Sequence, residues 1–128
     1  MRIAVLGAGM IGRAIALDLS TRHHVTAFDV SENNLALLSK RNPRIETKKT
    51  ELNNYTSYPV WLTSFELVVT AVPGFMGYKT LEAVINCGKN VVDISFFPED
   101  VLQLDRLVKE KEVTVITDCG VAPGMSNF

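Results

Sequence analysis

The stretch RIAVLGAGMIGRAIA, residues 2–16, decides the fold. Its first five residues form a short run that is apolar after Arg2, as a buried strand requires. Gly7, Gly9 and Gly12 follow in the spacing G-x-G-x-x-G. Next come Ile11, Ile15 and Leu19, four apart and so on one helical face, which predicts a helix over 10–21. A glycine motif between strand and helix has a physical use. Gly7 permits a tight turn, Gly9 lets the backbone approach a pyrophosphate with no side chain between, and Gly12 lets the helix pack close to the strand. The helix then offers open N–H groups and its positive dipole end to phosphates. Gly7, Gly9, Met10, Ile11 and Gly12 are therefore candidate cofactor-binding residues. The motif alone also fits a βα turn that binds nothing.

Strand-like and helix-like segments alternate along the rest of the chain. Residues 25–28 read as a second strand. Ser31 caps a helix that runs to about Lys40, with Leu35 and Leu38 as its apolar contact, and Asn42-Pro43 ends it. Residues 44–49 suit an edge strand, being polar, and 55–62 a short helix broken by Pro59. Residues 67–72, LVVTAV, are apolar on both faces, as a central parallel strand is. A helix over 75–87 stops at Gly88, and a short strand begins at Val91-Val92 and ends near Asp93 or Ile94. Pro98-Glu99-Asp100 opens a helix whose buried face is Val101, Leu104, Leu107 and Val108. The last strand is 113–117. This alternation implies an α/β fold, a doubly wound parallel Rossmann sheet of about six strands in the order 3-2-1-4-5-6 with helices on both faces.

Composition removes other classes. The chain has 128 residues, 47% of them hydrophobic and 21% charged, and a net charge of −1. That is enough for one domain with its own core and gives no electrostatic footprint for nucleic acid. Lys40, Arg41, Arg44, Lys48 and Lys49 are interrupted by Pro43 and Glu46 and read as a solvated helix end and loop. No apolar run reaches the roughly 18 residues of a membrane span. The N-terminal run leads into glycines rather than a cleavage site, so a cytoplasmic location is expected. Cys87 and Cys119 form no CxxC and read as reduced thiols, and no metal site is expected. His23-His24 falls at the far end of the first helix, on the opposite edge of the sheet from the glycines, and reads as solvated surface.

Two further features agree with the glycine turn. Asp29 ends the second strand 22 residues after Gly7, near the roughly 20 at which an acid accepts hydrogen bonds from the adenosine ribose. A carboxylate there repels a 2′-phosphate, and no arginine follows it directly, which favours NAD(H) over NADP(H). Asp29 also fits a plain helix-capping acid before Ser31. Val72 and Pro73 follow the fourth strand at the switch point, where ligands sit outside the strand ends, and their backbone could contact the pyrophosphate and nicotinamide ribose. Phe96-Phe97, after the fifth strand, fits a substrate pocket, a domain interface or packing under the last helix.

Taken together, VLGAGMIGRAIA (5–16), AVPGFMGYKTLEAVINCGKNVVDISFF (71–97) and DCGVAPGMSN (118–127) resemble the N-terminal domain of the saccharopine dehydrogenase family, with its lysine dehydrogenase-like members nearest. The likeness covers the whole chain, and the last motif is its most specific part. It implies a Rossmann domain joined to a second α/β domain, NAD(P), and oxidation of amines or amino acids such as lysine, saccharopine or carboxynorspermidine-type polyamines. By the same resemblance, Asp118, Gly120, Ala122, Pro123 and Gly124 match the interdomain segment beside the nicotinamide. Saccharopine-forming members often carry an acid before the Pro-Gly, where this chain has Ala122, which tilts the match toward lysine dehydrogenases.

The expectation is then the cofactor domain, residues 1–128, of a dehydrogenase of amino-acid metabolism whose substrate domain lies outside this chain. Its catalytic residues are unknown, and its exposed interdomain surface leaves a homo-oligomer open. The alternative is a stand-alone nucleotide-sensing regulatory module. A third reading is a Rossmann scaffold that binds nothing.

Overall fold

A computed structural model describes residues 1–95 and 101–117, apart from the side chains of 101 and 102. The elements are β1 (Arg2–Leu6), α1 (Met10–Leu19), β2 (His24–Asp29), α2 (Glu32–Arg41), β3 (Glu46–Lys49), a 3-10 turn (Tyr55–Ser57), α3 (Tyr58–Leu62), β4 (Leu67–Thr70), α4 (Gly74–Asn86), β5 (Asn90–Asp93), a second 3-10 turn (Val101–Leu104), α5 (Asp105–Lys111) and β6 (Val115–Thr117). Every strand pairing is parallel, in the order β3-β2-β1-β4-β5-β6. β1 is central, with Val5 facing Ala27 on one side and Val69 on the other. The chain reverses direction there, so the β1–β4 boundary is the switch point at which ligands bind in open α/β sheets.

Alternate residues of each strand face opposite sides of the sheet. Ile3, Val5, Val25 and Ala27 pack with Ala16, Leu35 and Leu38 of α1 and α2. Ala4, Leu6, Phe28, Val68 and Val91 pack with residues of α3, α4 and α5, among them Tyr58, Leu62, Leu81 and Val108. β3 is the polar edge strand that residues 44–49 suggested, with no buried residue. Ser31 caps α2 as expected, its Oγ accepting the Asn34 N–H at 3.1 Å. Gly88, at φ +72°, follows the end of α4 in the left-handed conformation that glycine adopts without a steric penalty.

Three expectations change. Pro59 does not break the crossover helix; it lies in the first turn of α3, where its missing N–H would have had no acceptor. An aromatic cluster holds that crossover on the sheet: Phe28 stacks on Trp61 with ring centroids 4.6 Å apart and meets Phe65 edge-on at 5.7 Å. Of the helical face marked by Ile11, Ile15 and Leu19, the last two pack partly buried against the core, whereas Ile11 is 63% exposed; the fully buried positions of α1 are Gly12 and Ala16, small residues that bring the helix close to the β1 turn. Finally, α5 begins at Asp105, with Leu104 and Val108 buried and Leu107 partly so. Pro98-Glu99-Asp100 lie outside the described residues.

Candidate nucleotide-binding site

The three glycines do different work. Gly7 sits at φ +103°, and a Cβ there would overlap the Ala71 carbonyl oxygen. A Cβ on Gly12 would overlap the Gly7 carbonyl oxygen. Protein atoms thus exclude a side chain at both positions. Gly9 is in an extended conformation open to any residue, and a Cβ there would meet nothing within 4 Å. Neither backbone nor packing asks for glycine at position 9. Its missing side chain instead keeps open the space in front of the α1 N-terminus.

That space is part of a cavity of about 660 Å³ spanning both sides of the turn. At its centre are Gly7, Gly9, Met10, Ile11 and Gly12. The Arg13 N–H donates to the Gly9 carbonyl at 2.8 Å, so the preceding N–H groups of the first turn have no acceptor within the helix. α4 also starts at the cavity, just after Pro73. Two positive helix ends therefore converge on one volume.

On the β2 side stands Asp29. Its Oδ2 accepts the Ala8 N–H at 2.6 Å and its Oδ1 the Ser31 N–H at 2.8 Å. It ties the glycine turn to the start of α2 and keeps free lone pairs where it lines the cavity. The capping role and the ribose role are therefore compatible. Arg13 reinforces the same corner, its Nη1 donating to the Ala8 carbonyl at 2.9 Å and to Asn34 Oδ1 at 3.2 Å. Val30, Asn34, Glu51, Leu52 and Asn53 complete this end. The buried Tyr58 braces it by donating its hydroxyl to the Leu52 carbonyl at 2.6 Å.

On the β4 side, Ala71, Val72, Pro73, Phe75 and Met76 form the wall. The Val72 N–H donates to Ser95 Oγ at 2.9 Å and the Ala71 N–H to the Leu6 carbonyl at 2.7 Å. With proline next, the groups this loop can offer a ligand are carbonyls and side chains rather than the N–H groups that pyrophosphate contact would use. Met10, Ile11, Val30 and Phe75, large apolar residues all left exposed (Phe75 at 83%), rim this one cavity. Apolar groups gathered this way mark a binding surface.

Gly7, Gly9, Met10, Ile11, Gly12, Asp29, Val72 and Pro73 thus share one cavity. Asp118, Gly120, Ala122, Pro123, Gly124, Cys119 and Phe96-Phe97 lie outside the described residues. His24 opens β2, and the partly buried His23 precedes it with its Nδ1 unpartnered; both stand at the opposite end of the strand from Asp29. Sequence reasoning missed Asn34, Glu51, Asn53 and Met76, which reach the cavity by the path of the chain and carry no motif. Ser95 and Asp93 were missed too, although a polar pair closing an apolar strand at the ligand end of the sheet was a usable signal.

Known proteins share this fold. The family model described as the saccharopine dehydrogenase NADP binding domain matches residues 3–116. Among solved structures, saccharopine dehydrogenase (L-Glu forming) from Saccharomyces cerevisiae aligns at 18% identity and TM-score 0.79, over 96% of this chain and 28% of its own. The WlbA dehydrogenase from Chromobacterium violaceum, solved with NADH and UDP-GlcNAcA, aligns at 15% identity and TM-score 0.73, over 92% of this chain and 34% of its own. Scyllo-inositol dehydrogenase from Lactobacillus casei, solved with NAD(H) and scyllo-inositol, aligns at 16% identity and TM-score 0.70, over 91% and 35%. At these identities the solved structures establish the fold, and this chain spans about a third of their length or less. The family-model match extends over nearly the whole chain, which belongs to the saccharopine dehydrogenase NADP-binding domain family, a group of nicotinamide dinucleotide-binding Rossmann domains.

Proposed function

We propose that this domain binds NAD(H) in the cavity across the switch point and is the cofactor half of an oxidoreductase that moves hydride between the nicotinamide and an amine-bearing carbon. The observation that carries the cofactor reading is the empty space at Gly9, which no conformational or packing demand explains. Met10, Ile11 and Gly12 would hold the pyrophosphate with their backbone N–H groups. Asp29 would accept from the ribose hydroxyls. Val72 and Pro73 would face the nicotinamide ribose, with Asp118, Ala122 and Pro123 following the family match toward the nicotinamide. The cofactor supplies the redox chemistry, and the protein binds and orients it.

The preference for NAD(H) rests on charge. Asp29 is anchored by two backbone N–H groups, and a 2′-phosphate would sit against it. Lys49, the residue paired with Asp29 across β3, makes an ion pair with Glu32 at 3.4 Å instead. The amine-bearing substrate class, lysine dehydrogenase-like, rests on family membership and on Ala122. A second domain in the natural protein accords with the small share of each solved relative that this chain covers. Titration by NADH fluorescence, with NADPH in parallel, tests the reading. NADH is expected to bind more tightly, and the 128-residue chain alone to show no lysine-dependent turnover. Tighter NADPH binding would overturn the NAD(H) preference.

A further inference from the structure

Beneath the β4 wall of the cavity lies a row of polar groups that the proposed cofactor contacts do not use. Thr70, Asp93 and Thr117 stand side by side in register at the carboxyl ends of β4, β5 and β6. Strand alternation puts their side chains on the face covered by α4 and α5. Asp93 is 0% exposed. Its Oδ1 accepts the Thr70 hydroxyl at 2.5 Å and the Ser95 N–H at 3.1 Å. Among the described residues its buried Oδ2 has no partner, and neither has the buried Thr117 hydroxyl.

Burying a carboxyl this completely costs stability, so the fold carries this group at a loss. What it maintains is a relay. Asp93 holds the Ser95 N–H, and Ser95 Oγ accepts the Val72 N–H. Val72 leads directly into Pro73, the residue from which α4 starts. A single chain of hydrogen bonds thus sets the 71–73 carbonyls and the α4 N-terminus on the cavity wall opposite Asp29.

We propose that Asp93 and Ser95 are positioning residues for the dinucleotide: through the Val72 N–H they fix the β4 wall, against which the half of the cofactor beyond the pyrophosphate would lie. This rests on the cofactor reading above. It goes further in separating the two ends of the ligand, since among the described residues the hydrogen bonds of Asp93 and Ser95 run to Thr70, to Val72 and to each other, on the side away from Asp29.

The test uses that separation. NADH spans both ends of the cavity, whereas ADP reaches only the adenosine and phosphate end. On the 128-residue chain, Ser95→Ala is expected to weaken NADH about tenfold, the scale of one hydrogen bond, and to leave ADP within about twofold. Asp93→Asn keeps a carbonyl oxygen where Oδ1 stands and is expected to retain NADH within about threefold. Asp93→Ala is expected to match Ser95→Ala. Thr70→Val, close to isosteric, provides a second route should Ser95→Ala unfold, with the same direction on NADH and none on ADP. Equal loss of NADH and ADP in Ser95→Ala, Asp93→Ala or Thr70→Val, or no loss of either in all three, would overturn the proposal in favour of a purely structural network. Wild-type protein that binds neither nucleotide would overturn the cofactor reading itself, and this inference with it.

Discussion

Asp29 and Asp93 occupy matching places, the carboxyl ends of β2 and β5, on opposite sides of the glycine turn. Asp29 is partly exposed and both its oxygens are anchored by backbone N–H groups, yet it lines the cavity. Asp93 is sealed in, with one oxygen bonded twice and the other without a partner among the described residues. Strand parity makes the difference. Asp29 follows Phe28, which faces α3 and α4, so it falls on the α1 side, beside the glycine turn. Asp93 follows Val92, which faces the α1 side, so it falls under α4. One step in a two-residue period turns the same residue from a cavity-facing acid into an internal one.

The glycines form the seam between these two sides, and breaking it should give the largest effect. Gly7→Ala meets both a positive φ and the Ala71 carbonyl oxygen. A loss of about 3 kcal/mol or more is expected, with nucleotide binding lost alongside it. Gly9→Ala is the contrast: its methyl group enters open space, so the melting temperature should stay within about 2 °C while NADH binding falls by at least about tenfold. Thermal melts run beside NADH titrations check both. Equal stability losses would mean that the space at Gly9 is not what that glycine serves.

Asp93 sharpens the comparison through pH. Burial pushes its carboxyl up from 3.8 to about 6, with hydrogen bonds from Thr70 and Ser95 opposing; no charged group of α4 or α5 enters the shift. A raised carboxyl means that the fold favours the neutral form. The corresponding stability is fully present below about pH 4 and lost as pH rises through about 6. Asp93→Asn removes this loss. The variant should be more stable than wild type at pH 8 by on the order of 2–3 kcal/mol, with the difference closing near pH 4. Urea midpoints at pH 4.5, 6 and 8 measure it. Destabilisation at every pH would show that the buried charge is itself needed.

At the other acid the effect should appear in binding. Asp29→Ala removes the acceptor for the Ala8 N–H as well as the ribose contact, and NADH and ADP should weaken together by about 10- to 100-fold. NADPH should weaken less, because the repulsion goes with the carboxylate. A variant that loses NADH alone and keeps ADP would place Asp29 at the wrong end of the ligand.

How much of this was legible follows from where each signal is written. The glycine turn, Asp29 and the strand order come from short local patterns whose spacing is fixed by backbone geometry. The region 44–63 was hardest to read because α3 is held by long-range ring contacts of Trp61 and Phe65 with Phe28, not by its own periodicity. Ile15 and Leu19 pack on the core as their spacing suggests, but helical spacing does not show that Ile11 stays exposed at the cavity or that Gly12 and Ala16 are the positions pressed closest to the sheet. Glu51 and Asn53 reach the cavity by tertiary folding alone. Strand parity could have been counted, but the consequence for Asp93 appears only once α4 is placed over it.

The smallest expected effect tests whether the Asp29 side also depends on a buttress, as the other side does on Ser95. The Tyr58 hydroxyl donates to the Leu52 carbonyl across the base of the loop bearing Glu51 and Asn53. Burial pushes that hydroxyl up to about 12, so it remains a protonated donor throughout the neutral range. Tyr58→Phe keeps the ring contacts with Tyr55 and Trp61 and removes the hydroxyl, which donates to Leu52 and meets the Thr80 side chain. A stability loss of about 1 kcal/mol is expected, with ADP and NADH weakened by the same factor, about threefold or less. The logic is the mirror of Ser95→Ala: a brace on the adenosine side must affect both nucleotides equally, whereas one on the β4 side must affect NADH alone. If Tyr58→Phe spared ADP, the two walls of the cavity would not be independent, and the division drawn between the two aspartates would fail.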